Sequence, residues 1–168
     1  MKKHIIKIPV FVFVYIVNHF FTCMIPQGIT LKHVPVKMIY CHRLDSSQCV
    51  VHSVIVDPCT QGPSFCQMRS DKSYGMTINM TPNFSASKMK MAVYGDVAND
   101  ESYSVVFRPP KNACEYFNCP VQPDERRLFD IDFELNKRAY GKFPLKVKLW
   151  NEEDESQACC FTFTVRAK

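Results

Sequence analysis

Apolar and polar residues alternate along most of this chain, the period-two signature of strands with one buried face. In Phe129-Asp130-Ile131-Asp132-Phe133-Glu134-Leu135 every apolar side chain falls on one face and every acid on the other. Leu145-Lys146-Val147-Lys148-Leu149 repeats the pattern with lysines outside. Lys88 to Tyr94 groups Met89, Met91 and Val93, while Tyr74, Met76, Ile78 and Met80 share a face opposite Thr77 and Asn79. Val50 to Val56 and Phe161 to Val165 supply two more short strands, and Tyr103 to Phe107 is the weakest. Asp57-Pro58, Thr81-Pro82-Asn83, Asn99-Asp100 and Pro109-Pro110-Lys111-Asn112 read as turns between them. About seven short strands with turn signals and no long helical period predict an all-β fold, an antiparallel β-sandwich of two sheets. Residues 24–40 show no alternation and read as a loose N-terminal extension.

The N-terminus departs from this pattern. Lys2, Lys3 and Lys7 form a basic start, and Ile8 to Val17 is apolar except for Pro9 before Asn18-His19 breaks the run. Such a run has the length of a signal-peptide core and is short for a membrane span, which needs roughly 20 residues. Residues 1–23 are therefore expected to be a signal peptide cleaved within 22–28, with an uncleaved anchor as the alternative.

Composition sharpens this expectation. The 168 residues suit one domain plus a targeting segment, and 46% hydrophobic with 22% charged residues is ordinary globular usage. Nine cysteines are the unusual feature, and they fit disulfides in a secreted chain. Loss of Cys23 with the signal leaves eight, an even number. The net charge of +5 also falls once Lys2, Lys3 and Lys7 leave. The remaining 18 basic residues stand against 16 acidic ones, a net of +2, so electrostatic attraction to nucleic acid loses its support.

Tests for chemistry are negative. No Cys-x-x-Cys pair offers a zinc site, and neither Cys49 with His52 nor the vicinal Cys159-Cys160 would point to one side of a strand. No histidine joins a nucleophile motif, and neither a Gly-x-Ser-x-Gly elbow nor a glycine-rich phosphate loop is present. Asp130, Asp132 and Glu134 read as a solvated strand face, and Glu152-Glu153-Asp154-Glu155 as a solvated turn without the central Gly of a calcium loop. No enzymatic activity and no metal cofactor are expected. Asn79-Met80-Thr81 and Asn83-Phe84-Ser85 are glycosylation acceptors in keeping with secretion, the second the better because Pro82 follows the first. On pattern alone, the inner faces are a packed core.

The cysteines and their flanks carry a more specific signal. Val51 to Cys59 followed by Pro63-Ser64-Phe65-Cys66, then Cys114-Glu115-Tyr116-Phe117-Asn118-Cys119-Pro120-Val121, then Phe143 to Trp150 and Cys160 to Val165, resemble in order and spacing the ML lipid-recognition family. This is the family of the Niemann-Pick type C-two and epididymal secretory proteins and their arthropod homologues. The resemblance covers roughly residues 41–168. It implies an immunoglobulin-like sandwich, no enzyme, and a lipid such as a sterol or fatty acid held between the sheets. Burial of apolar ligand surface supplies about 25 cal/mol per Å² before the costs of ordering.

The resemblance implies the remaining assignments. Cys59 would pair with Cys66 and Cys114 with Cys119. Cys160 would pair with Cys41 or Cys49, of which Cys41 is preferred, leaving Cys49 and Cys159 as an additional pair. The lipid entrance would comprise Phe107 with Pro109 and Pro110, then Phe143-Pro144, with Leu135 or Ala139 as a third element and Tyr140 on the rim. Alternation adds Tyr74, Met76, Ile78, Met89, Met91, Phe129, Ile131, Phe133, Leu149 and Trp150 as deeper candidates, the methionines suiting a ligand of variable shape. The implied partner is a sterol or other hydrophobic small molecule, with transient contact to a membrane or acceptor protein. A monomer, secreted or lysosomal, without nucleic acid, is expected. The alternative is an extracellular recognition module for microbial or anionic lipids, for which Lys88, Lys90, Arg126, Arg127 and Arg138 are the candidate basic residues. A third reading is a disulfide-stapled structural domain with a filled core.

Overall fold

The computed structural model describes residues 34–168 apart from 43, 60 and 138, so the signal-peptide expectation and its cleavage window lie outside the described residues. Chain contacts divide the molecule into Met1–Lys32 and His33–Lys168, and the fold is that of the second unit. Its strands are β1 (Met38–Tyr40), β2 (Cys49–Asp57), β3 (Cys66–Met68), β4 (Ser73–Pro82), β5 (Met89–Gly95), β6 (Val105–Asn112), β7 (Arg127–Glu134), β8 (Gly141–Asn151) and β9 (Ala158–Ala167). The first sheet runs β1-β9-β8-β5-β6, with β3 also on β9, and the second runs β2-β4-β7. All pairings are antiparallel except β3 with β9, which is parallel.

The strands form where the alternation lies. In β7, Phe129, Ile131 and Phe133 are buried while Leu128, Asp130, Asp132 and Glu134 are exposed. On the first sheet, Met89, Met91, Val93, Leu145, Val147, Leu149, Phe161 and Phe163 turn inward. They meet Val54, Met76, Ile78 and Met80 from the second sheet in one continuous apolar cluster. Two faces packed in this way are the core of a sandwich. The turn after β8 closes as its acidic composition predicts: Asp154 Oδ1 accepts from the Ser156 backbone N–H at 3.0 Å and from its hydroxyl at 2.6 Å.

Two expectations change. Met38–Tyr40, within the segment read as a loose extension, is a strand against Phe161–Phe163, and β3 adds Cys66–Met68 beside Val165–Ala167. Three residues are too few to show a period, so these strands exist only because β9 offers its free edge. Pro109 and Pro110, read as a turn, lie inside β6. Proline lacks an N–H and is tolerated there because β6 is an edge strand.

Four disulfides staple the fold: Cys41–Cys160, Cys49–Cys159, Cys59–Cys66 and Cys114–Cys119. Neighbouring residues of a strand face opposite ways. Cys160 accordingly reaches the chain just after β1 in its own sheet, while Cys159 crosses the interior to Cys49 at the start of β2.

Candidate functional site: the interior and its two seams

A sandwich has two seams where the edges of its sheets approach. At the first, β2 of one sheet faces β9 of the other, and the Cys49–Cys159 bridge locks them covalently with a Cα separation of 5.2 Å. At the second, β6 faces β7, and the links are non-covalent.

The geometry of the second seam starts from irregularities in β6. Its register with β5 shifts between Val93 and Tyr94 and again between Met91 and Val93. A bulge inserts a residue and breaks the alternation, so the successive side chains Phe107 and Arg108 are both buried, at 8% and 6% exposure. Phe107 lies over Gly95, where a Cβ would come within 2.2 Å of its ring. Its centroid is 6.0 Å from that of Phe143, with the rings 23° from parallel. Below this pair, Phe117 and Phe129 pack at 4.8 Å between centroids, and Tyr74 and Phe133 at 6.0 Å.

Arg108 spans the seam. Its Nη1 donates to the backbone carbonyl of Asp132 on β7 and lies 3.3 Å from Asp132 Oδ2. Its Nη2 donates to the Tyr116 hydroxyl, and the guanidinium carbon sits 5.0 Å from the Tyr116 ring centroid. Its Nε is buried and makes no hydrogen bond among the described residues.

Of the residues expected at the site, Tyr74, Met76, Ile78, Met89, Met91, Phe107, Phe129, Ile131, Phe133, Leu135, Phe143 and Leu149 all belong to the single interior cluster, as does Ala139. The others lie elsewhere. Trp150 follows Leu149, so the two cannot both point inward. It packs on the outer face with Ala92 and Ala158, with Lys148 Nζ 4.8 Å from its ring centroid. Pro144, next to the inward Phe143, is half-buried on that same outer side, and Pro109 and Pro110 are exposed on β6. Tyr140 is 77% exposed.

The basic residues expected at a pocket mouth do not converge. Lys90 Nζ pairs with Glu152 at 2.9 Å, and Arg127 with Glu125 at 2.6 Å. Arg126 Nε donates to Asn79 Oδ1 at 2.7 Å. Lys88 is exposed beside β5, and Arg138 lies outside the described residues. The hydrogen bond from Lys90 holds the Glu152 carboxyl below its ordinary range. Asn79 stands on the outer face of β4, and Asn83 is exposed with its amide nitrogen donating to the Ser47 carbonyl.

Sequence reasoning missed Arg108. Its only local cue is the adjacent Pro-Pro, which within an apolar run marks an edge strand or bulge. A separate open groove of about 360 Å³ runs along Pro58, Gln67, Arg69, Lys72, Ser73 and Tyr74. Its lining is mostly polar, unlike the interior. All eight cysteines of the described region are in disulfides, so none offers a thiolate to a metal.

The family model of the ML domain matches residues 35–167. The chain belongs to the ML domain family. This is a lipid-binding family. A relative, the MD-2-related lipid-recognition protein of Manduca sexta, is 30% identical to this ML domain protein over 144 residues, covering 84% of this chain and 91% of the relative. Among solved structures, a Niemann-Pick type C2 protein from Japanese carpenter ant superposes with a TM-score of 0.61 at 18% identity, covering 79% of this chain and 99% of that one. That likeness is one of fold.

Proposed function

We propose that this ML domain protein is a secreted carrier that holds a hydrophobic small molecule, a sterol or a fatty acid, between its two sheets and passes it to a membrane or acceptor protein. The observation that carries the reading is the asymmetry of the seams. One is closed by a disulfide and the other by an arginine, in front of one continuous apolar cluster. A lipid enters by parting β6 from β7 and replaces side-chain contacts across the sandwich. The buried methionines Met68, Met76, Met80, Met89 and Met91 adjust to its shape. The protein acts as a monomer in this reading, and among the described residues the large exposed apolar side chains, such as Ile39, Val106 and Leu128, come from different strands.

Recognition of anionic microbial lipids by a basic rim is less favoured, because Lys90 and Arg127 already hold carboxylates of this chain. The test is displacement of a fluorescent fatty acid or fluorescent sterol from delipidated protein. Saturable binding of at least one class is expected, together with a lipid in organic extracts of natively purified protein. Failure to bind either class rejects the carrier reading.

A further inference from the structure

The carrier reading leaves open which end of a lipid the protein recognises. We infer that Arg108 is the headgroup residue of the site, and that the preferred ligand is a single-chain lipid ending in a carboxylate. The inference rests on the carrier reading and specifies its ligand.

A guanidinium carries five N–H donors and a permanent charge. Burying that charge is unfavourable unless it is both paired and hydrogen-bonded. Arg108 meets only part of this requirement. Its side chain is 7% exposed, whereas its ion-pair partner Asp132 is 74% exposed at 3.3 Å, so that carboxylate is largely screened by water. The Asp132 carbonyl and the Tyr116 hydroxyl are neutral acceptors. Nε has no acceptor among the described residues. A clasp between the sheets accounts for Nη1 and Nη2, and leaves Nε and much of the charge unanswered.

A carboxylate answers both, because it presents two oxygens to the planar fork of an arginine. The position suits a chain with a polar end. Arg108 directly follows Phe107 in the bulged stretch of β6, and Phe107 and Phe143 belong to the apolar interior. A fatty acid would place its carboxylate at the seam, where the headgroup stays near water, and its hydrocarbon among the inner-face side chains. A sterol offers one hydroxyl there, which leaves the charge of Arg108 as it is.

The discriminating experiment compares ligands of one chain and two heads. Oleic acid and oleyl alcohol are titrated, with cholesterol alongside, against delipidated wild-type protein, Arg108→Met and Asp132→Asn. The wild type is expected to bind the acid about tenfold or more tightly than the alcohol, the scale of a charge-assisted pair. Arg108→Met should bring that ratio to near one. Asp132→Asn, which removes the competing carboxylate, should raise the ratio. It also keeps the test open if Arg108→Met fails to fold. A wild-type ratio near one, an Arg108→Met protein that keeps the preference, or an Asp132→Asn protein whose ratio falls would overturn the assignment while leaving a lipid carrier in place. If none of the three ligands binds, the carrier reading itself fails and takes this one with it.

Discussion

Gly95 and Phe107 show how much a single position can decide. The Phe107 ring occupies the space that a side chain at 95 would need, 2.2 Å from an added Cβ, and Phe143 backs the ring from the other side. Gly95→Ala must therefore push the ring out of place. Overpacking of this kind costs roughly 1–3 kcal/mol, and urea denaturation should show a loss of that size with an unchanged m-value. Phe143 is almost fully buried. Truncation to Ala should cost about 3–5 kcal/mol on the same measurement, so this variant reports on folding before it reports on lipid. At this scale, side-chain direction was legible wherever alternation ran unbroken, as at Phe129, Ile131 and Phe133. It was illegible at Arg108, because a bulge that turns two successive side chains inward depends on pairing with β5 and leaves little trace in the local pattern.

Among the elements, the two bridges from the vicinal cysteines of β9 do different work. Cys49–Cys159 closes a separation of 110 residues and joins the sheets, whereas Cys59–Cys66 closes one of 7. Because Cys41–Cys160 already joins the same ends, Cys49–Cys159 adds only a short ring to the restraint on the unfolded chain. Replacing either Cys49 and Cys159 or Cys59 and Cys66 by Ala should thus lower stability by about 2–5 kcal/mol, as read by thermal denaturation of the two double variants. The β8–β9 turn makes a prediction in pH. Glu152 is held below its ordinary range first by the hydrogen bond from Lys90, and Asp154 first by the Ser156 hydroxyl. Depressed carboxyls stabilise the fold above the unfolded-state value, and the contribution is lost as pH falls through the folded-state value. Carboxyl NMR titration should therefore find both groups titrating below their unfolded-state values. Lys90→Gln should move Glu152 back up and leave Asp154 in place. Six of the nine strands among the described residues were legible because each holds several periods, and a seventh, β6, in its first part, where Tyr103 to Phe107 overlaps it. β1 and β3 were too short to show one, and β6 carries prolines that read as a turn until its place at the sheet edge is known.

For the whole molecule, the proposed carrier is locked by a disulfide at one seam and opens at the other, where β6 and β7 part to admit the lipid. A ligand that binds only the folded form adds stability by mass action, about 2.7 kcal/mol at a hundredfold excess over Kd. The melting temperature should rise with lipid concentration, and the rise should vanish if β6 and β7 are tied by an engineered disulfide that prevents parting. A lipid-dependent rise that survives that cross-link would place the entrance elsewhere. The amino-acid sequence by itself determined the strand content, the inner and outer faces, the disulfide-rich class and the family, because periodicity and cysteine spacing are written locally along the chain. Only the tertiary structure decided that Trp150 faces outward, that Cys159 crosses the interior, and that Arg108 is buried at the β6–β7 seam. Each of these depends on which strand edges meet, and that is settled by packing between residues far apart in the chain.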